Sequence, residues 1–194
     1  MKIKRDFYNR DALTVSEEIL GKTLVHITEE GITKGKIVEV EAYMGAQDKA
    51  AHSYGNLYSE RTKIQYGEGG YAYVYLIYGM HICMNIVTNK ESIPHAILIR
   101  ALEPIEGIEL MKKRRKTDNI KMLCNGPGKL SQAMGITKEN YGDDLCGESL
   151  YLEDGIVIPK KQILRSKRIN IDYAEEAKDY LWRFTIKDNP YVSK

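Results

Sequence analysis

Phenylalanine and tryptophan are nearly absent from this 194-residue chain, with two Phe and one Trp against 14 Tyr. Cysteine is scarce too. Cys83, Cys124 and Cys146 are odd in number and far apart, which excludes a disulfide framework, and no C-x-x-C pair suggests a zinc or redox site. No run is long and apolar enough to span a bilayer, because Tyr, His and Asn interrupt the most apolar stretch, Tyr71 to Val87. Met1 to Arg10 alternates charge with aromatics and lacks the apolar core of a secretory leader, so a cytoplasmic protein with reduced thiols and no membrane association is expected. Repeats, low-complexity tracts and linkers are also missing, and the length suits one domain over residues 1–194. Lys and Arg total 29 against 27 acidic residues, a net charge of +2. So small an excess gives no global field for a polyanion, and any nucleic acid must be held by a local patch.

Tyrosine is what the chain has instead. Seven of the Tyr lie between Tyr54 and Tyr78. Phe would fill a plain core equally well, and a buried hydroxyl needs a partner, so this preference points to rings that are partly wet or that stack on something polar. The coarse pattern begins with a helix from about Asp11 to Leu20, capped by Asp11 and closed by Gly21. A strand over Lys22 to Thr28, a turn at Glu30-Gly31 and a strand over Lys36 to Tyr43 follow. The last puts Val38, Val40 and Ala42 on one face and Glu39, Glu41 and Tyr43 on the other. Gly45 to Gly70 reads as a long loop, of the kind usually kept for function. Tyr71 to Ile77 and His81 to Thr88 form a hairpin around Tyr78-Gly79-Met80, and Pro94 to Leu102 is a further strand. Pro104 suits the first turn of a helix striped by Ile105, Ile108 and Met111 and ending in the basic run Lys112 to Lys116. A short helix after Gly126-Pro127 uses Leu130 and Met134. Asp154-Gly155 marks another hairpin, and strands with a helix near Tyr173 to Trp182 complete the chain. Helices mix with hairpins in no regular βαβ order, so the fold class is α+β.

Glu41 is the first candidate for chemistry. A carboxylate on the wetter face of a strand is normally solvated surface, but Tyr43 shares its face and His52 follows closely, and an acid, a flat ring and an imidazole could line a pocket for a base. Tyr78 at the hairpin tip could push between base pairs and fill the gap left by an extruded nucleotide. For phosphates the candidates are Lys112, Lys113, Arg114, Arg115 and Lys116, and the scatter Lys160, Lys161, Arg165, Lys167 and Arg168.

Four ordered segments carry a family resemblance: VEVEAYMGAQDKAAHSYG (Val38 to Gly55), YAYVYLIYGMHICMNIVT (Tyr71 to Thr88), ILIRALEPIEG (Ile97 to Gly107) and LCNGPGKLSQAMGI (Leu123 to Ile136). Together they resemble the alkyladenine, or 3-methyladenine, DNA glycosylases, and His81 after Tyr-Gly-Met resembles the bacterial branch. The resemblance implies a single compact α+β domain with a curved, mostly antiparallel sheet, a protruding hairpin and surrounding helices. It implies that Glu41 is the general base for the attacking water and that Arg100 helps to hold that water. Tyr43, His52 and Tyr75 match the walls of the base pocket, the two tyrosines stacking on the base and attracting its positive charge, the histidine hydrogen-bonding. Asn85 matches the residue that crowds the exocyclic amine of guanine, and Tyr78 the intercalating wedge. A backbone carbonyl near Ile169 would be the water's remaining ligand, although the family's Arg-Ile-Gly-Ile pattern stands here as Arg168-Ile169-Asn170-Ile171. The implied partner is double-stranded DNA carrying a damaged purine, bound by a monomer without metal or cofactor.

Two rivals remain at this stage. A non-catalytic binder of single-stranded or distorted nucleic acid would use the tyrosines as stacking platforms, but a carboxylate in a phosphate-binding cleft is then unexplained. A metal-dependent nuclease or deaminase lacks its His/Cys ligand cluster.

Overall fold

In the computed structural model, residues 1–77 and 79–193 are described. Two helices open the chain, α1 (Arg5–Tyr8) and α2 (Ala12–Ile19). Asp11 caps α2 as expected: its carboxylate accepts from the backbone N–H groups of Leu13 and Thr14 at 3.1 and 3.0 Å. Gly21, past the helix, holds φ +85° and packs against the backbone of Ile156.

Eight strands form one sheet: β1 (Thr23–Thr28), β2 (Gly31–Tyr43), β3 (Ala72–Ile77), β4 (His81–Thr88), β5 (His95–Glu106), β6 (Leu150–Glu153), β7 (Ile163–Ser166) and β8 (Arg183–Ile186). The order is β3-β4-β5-β2-β1-β6, and all pairings are antiparallel. One edge of β2 runs along β5 for most of its length. Its other edge is shared, β1 taking Gly31 to Lys36 and β8 taking Glu39 to Glu41, with β7 beyond β8. Register shifts on either side of Glu39 mark a bulge where one neighbour gives way to the other. The sheet curls there, so the fold is the α+β domain with a curved antiparallel sheet that the sequence implied.

The pleat sorts the residues by function. Tyr73 pairs with Asn85, Asn85 with Leu98, and Leu98 with Glu41. Directly opposed residues share a face, so this row lies on one side of four strands. On the other side Ala72, Val74, Met84, Ile86, Ile97, Ile99, Val40 and Ala42 join the main apolar core. Helix α2 covers that core over β2. Helices α3 (Ile108–Arg115) and α4 (Pro127–Met134) pack on each other, and α4 also lies on β4 and β5.

Several elements differ from expectation. β2 begins at Gly31 rather than Lys36, because the hairpin from β1 turns at residues 29–30. Pro104 does not start a helix. It lies in β5 opposite Gly35 at a register shift, beyond the His95–Leu98 stretch where β4 pairs, and a strand with a free edge tolerates a missing N–H. The α3 helix starts only after Gly107, whose φ of +74° bends the chain away from the sheet. Asp154-Gly155 makes no hairpin, since β6 pairs with β1. Gly155 is small for a different reason: a Cβ there would sit 1.9 Å from the Gly21 carbonyl oxygen. Near Tyr173 to Trp182 the helix is a single 3-10 turn, Glu175–Asp179. The 45–70 segment is tied down by short 3-10 turns and by buried Ser53, whose hydroxyl donates to Gln65 Oε1 and to the Pro94 carbonyl.

Asp11→Ala should lower the unfolding free energy by about 1 kcal/mol, read as a shift in denaturant midpoint with unchanged slope. An unchanged midpoint would contradict the cap.

Candidate active site

The polar face of the sheet forms the floor of a cavity of about 510 Å³. Alternate residues of four strands line it: Tyr73 and Tyr75 from β3, Cys83 and Asn85 from β4, Leu98 and Arg100 from β5, Glu41 and Tyr43 from β2. His52 closes one side, the Gly126–Lys129 end of α4 another, and Ile169 to Ile171 a third. Glu41, Tyr43, His52, Tyr75, Asn85, Arg100 and Ile169 therefore meet in one place.

Glu41 is not on a wet surface. Its relative exposure is 0%, as is that of Glu39 two residues earlier. Buried carboxylates must be paired and hydrogen-bonded, and both are. Glu41 Oε1 accepts the backbone N–H of Ile169 at 2.8 Å and lies 3.3 Å from Arg100 Nη1, while Oε2 accepts the Tyr43 hydroxyl at 2.9 Å. Burial pushes the Glu41 carboxyl above its ordinary value against the pull of Arg100, the Ile169 amide and Tyr43, and neighbouring Glu39 pushes the same way. Glu39 is held by Arg100 Nε at 2.9 Å, Arg183 Nε at 2.7 Å, and the backbone N–H and hydroxyl of Ser193 at 2.6 and 2.8 Å. Arg100 thus bridges two carboxylates and cannot swing away from Glu41.

The aromatic walls are locked as well. Arg61 Nη2 lies 3.1 Å from His52 Nε2, and the Tyr73 hydroxyl lies 2.6 Å from His52 Nδ1. Arg61 Nη2 also stands 3.3 Å from Nδ1, and because a guanidinium only donates, the ring that meets it is a neutral imidazole. Burial and the Arg61 charge lower the His52 pKa to about 4. His52 meets Tyr75 edge-on at 4.7 Å, and Tyr75 tilts against Tyr73 at 5.3 Å. Asn85 Nδ2 donates to the Tyr73 carbonyl at 3.2 Å. Burial pushes the Cys83 thiol up to about 11, so it is no ready thiolate.

Ile169 enters through its amide, and Asn170 takes the left-handed conformation at φ +59°. Asparagine tolerates that region better than other non-glycine residues, so the turn survives where the family pattern has Gly. Arg168 leaves the phosphate-binding group. It is 5% exposed and grips Asp48 with two bonds of 2.5 and 2.8 Å, while also donating to the Ala42 and Ala177 carbonyls. In the basic run, Arg114 is tied to Glu30, Thr28 and the Ala133 carbonyl, and Lys112 to Glu109. Arg115 donates to the Leu123 carbonyl and lines the cavity, whereas Lys113 and Lys116 are exposed. Tyr78 lies outside the described residues, although its neighbours Leu76 and Met80 are 51% and 71% exposed.

Glu39, Asp48, Arg61, Tyr73 and Ser193 escaped the sequence reading. Two of them had a usable signal, Glu39 through its shared face with Glu41 and Tyr73 through the Tyr71-Tyr73-Tyr75 alternation. Among the described residues no group of His, Cys, Asp and Glu could hold a metal ion, and no helix is long and apolar enough to cross a membrane.

Residues 6–190 match the family model described as methylpurine-DNA glycosylase (MPG). This chain belongs to the methylpurine-DNA glycosylase family. A relative from Alkaliphilus oremlandii is 55% identical over 203 residues, covering 100% of both chains. One from Clostridium novyi is 54% identical over 201 residues, covering 100% of this chain and 98% of its own. Both carry the provisional name 3-methyladenine DNA glycosylase. In this family member the cavity lining is drawn from positions spread between Glu41 and Ser193.

Two measurements check this geometry. Asp48→Asn leaves the Arg168 guanidinium buried without its counter-charge and should cost about 3–5 kcal/mol in a thermal or urea melt; a loss near that of an exposed pair would show that the Asp48–Arg168 pair matters little. Between pH 6.5 and about 4 the unfolded chain binds a proton at His52 that the folded chain refuses, so stability should fall as pH drops through that window. An NMR titration should find the imidazole neutral until about pH 4, and a midpoint at the ordinary 6.5 would contradict its lock.

Proposed function

We propose that this protein is a monofunctional base-excision-repair glycosylase, a hydrolase that acts on alkylated or deaminated purines of the 3-methyladenine, hypoxanthine and ethenoadenine class. The observation that carries the reading is a fully buried carboxylate, Glu41, fixed between Arg100 and the Ile169 amide on the wall of a tyrosine-lined cavity. A damaged purine in duplex DNA is inaccessible, so it is flipped out, at a cost of a few kcal/mol that weakened pairing reduces. Tyr78 is the wedge that fills the gap. The base enters between Tyr43 on one side and His52 with Tyr75 on the other, and stacking there contributes roughly 1–3 kcal/mol. The Asn85 amide, anchored to the Tyr73 carbonyl, crowds a purine that carries a 2-amino group.

Cleavage breaks the bond from C1′ to the base and leaves the sugar oxocarbenium-like. Glu41 takes a proton from a water while the water's oxygen bonds to C1′, and its negative charge stabilises the sugar cation. Arg100 and a backbone carbonyl near Ile169 hold the water, and the electron pair leaves with the base. Lys129, the lysine on the cavity wall among the described residues, donates from Nζ to Asn125 Oδ1 at 3.0 Å. That fits a water nucleophile, and the product is an abasic site without strand cleavage. Of the Lys112 to Lys116 run, the exposed Lys113 and Lys116 contact phosphates. On this reading the protein acts as a monomer in the cytoplasm.

Glu41→Gln is the test. Excision from duplexes with one defined lesion should fall by two orders of magnitude or more, on the scale of lost general-base catalysis (about 10²–10⁴-fold), while lesion binding persists. In the wild type the acid limb of the rate should lie above the ordinary carboxylate value of 4.5, because the base must be deprotonated and its pKa is raised. Unchanged excision by Glu41→Gln would end the mechanism, and a wild-type protein that binds the lesion without excising it would be a lesion-binding protein instead.

A further inference from the structure

Both walls of the base slot carry a guanidinium. Arg168 lies 4.8 Å from the centre of the Tyr43 ring and Arg61 lies 4.7 Å from that of Tyr75. Neither arginine lines the cavity, whereas both tyrosines do. Each cation therefore holds its ring from behind and leaves the cavity side to a base.

The two cations are not equivalent. Arg168 is clamped by Asp48, itself at 0% exposure, and that carboxylate cancels its charge in place. Arg61 has no carboxylate within ion-pair distance among the described residues. It is exposed, and its partners are the Tyr75 ring, the nitrogens of His52 and the Tyr73 side chain. Its positive field is felt by His52, Tyr73, Tyr75 and Cys83, the groups that line one side of the slot.

An aromatic face attracts a cation through the ring's quadrupole. A cation already on one face draws the ring's electrons towards itself and repels a second cation approaching the other. A neutral base stacks without that repulsion. We propose that Arg61 is a specificity-determining residue, whose uncompensated guanidinium behind Tyr75 and against His52 holds down the pocket's preference for positively charged alkylated purines and so lets neutral purine lesions compete. This rests on the glycosylase reading and refines its substrate class. It also revises the expectation that Tyr43 and Tyr75 act as plain electron-rich walls for a cationic base. One ring is backed by a neutralised pair and the other by an open charge. The slot selects by shape and stacking more than by charge.

The test compares a cationic and a neutral lesion that both lack a 2-amino group, so that Asn85 treats them alike. Single-turnover kcat/KM is measured at pH 8, where His52 is neutral whether or not Arg61 is present, for release of 3-methyladenine from methylated duplex DNA and of hypoxanthine from a defined duplex. Arg61→Gln should raise the 3-methyladenine-to-hypoxanthine ratio by about tenfold, and Arg61→Lys, which restores a cation, should return it towards the wild-type value. A ratio unchanged in Arg61→Gln, or two rates that fall together with no recovery in Arg61→Lys, would reduce Arg61 to a prop for its loop and overturn the proposal. Failure of the glycosylase reading is separately visible, since the wild-type protein would then release neither base.

Discussion

Two carboxylates stand two residues apart on one strand, both wholly inside the protein, and the site is organised around neutralising them. Glu39 and Glu41 project to the same side of β2 and would repel each other in a poorly screened interior. Arg100 answers both at once from the neighbouring strand. Arg183 answers Glu39 from β8, and backbone amides of residues 169 and 193 complete the set. The partners of Glu39 lie 61 to 154 residues away in the sequence, and Ile169 lies 128 from Glu41, which is held in a single orientation. A buried acid so restrained is not a stability device. Its desolvation is unfavourable, and the neutralising groups recover only part of it. Its fixed, dry setting is what the proposed role of Glu41 as general base would require.

The sheet makes this possible because its two faces have separate tasks. Aliphatic residues at alternate positions of β2, β3, β4 and β5 knit the core, while the residues between them build the cavity floor. Changing a floor residue therefore leaves the aliphatic face intact, and chemistry can be set on the strands without weakening the layer that holds them together. Rigid strands also place side chains more finely than loops do.

Much of this was legible in advance. Period-two alternation located β2, β3 and β4, and the shared face of Glu39, Glu41 and Tyr43 followed from it. The Asp11 cap was readable because an Asp directly before an apolar-periodic segment is well suited to accept from the first free N–H groups of a helix. Less visible was anything that depended on how distant segments meet. Glu41 looked solvent-facing because a strand's second face is usually wet, and only the curl of the sheet with the cover of residues 169–171 makes it dry. Pro104 looked like a helix start because its local preference fits one, yet the free edge of β5 accepts it. Arg168 looked like a phosphate ligand among lysines, and its partner Asp48 lies 120 residues away. Charge runs in sequence do not say which members turn inward.

The clasp between Ser193 and Glu39 bears on how the molecule comes into being. A ribosome delivers β2 well before residues 183 and 193. Until those late residues are made, the acid at position 39 has only part of its counter-charge, and the pocket stands open to water on that side. The frame around the two acids can therefore close only once residue 193 has left the exit tunnel, and a nascent chain stopped short of it holds Glu39 and Glu41 without their full set of partners.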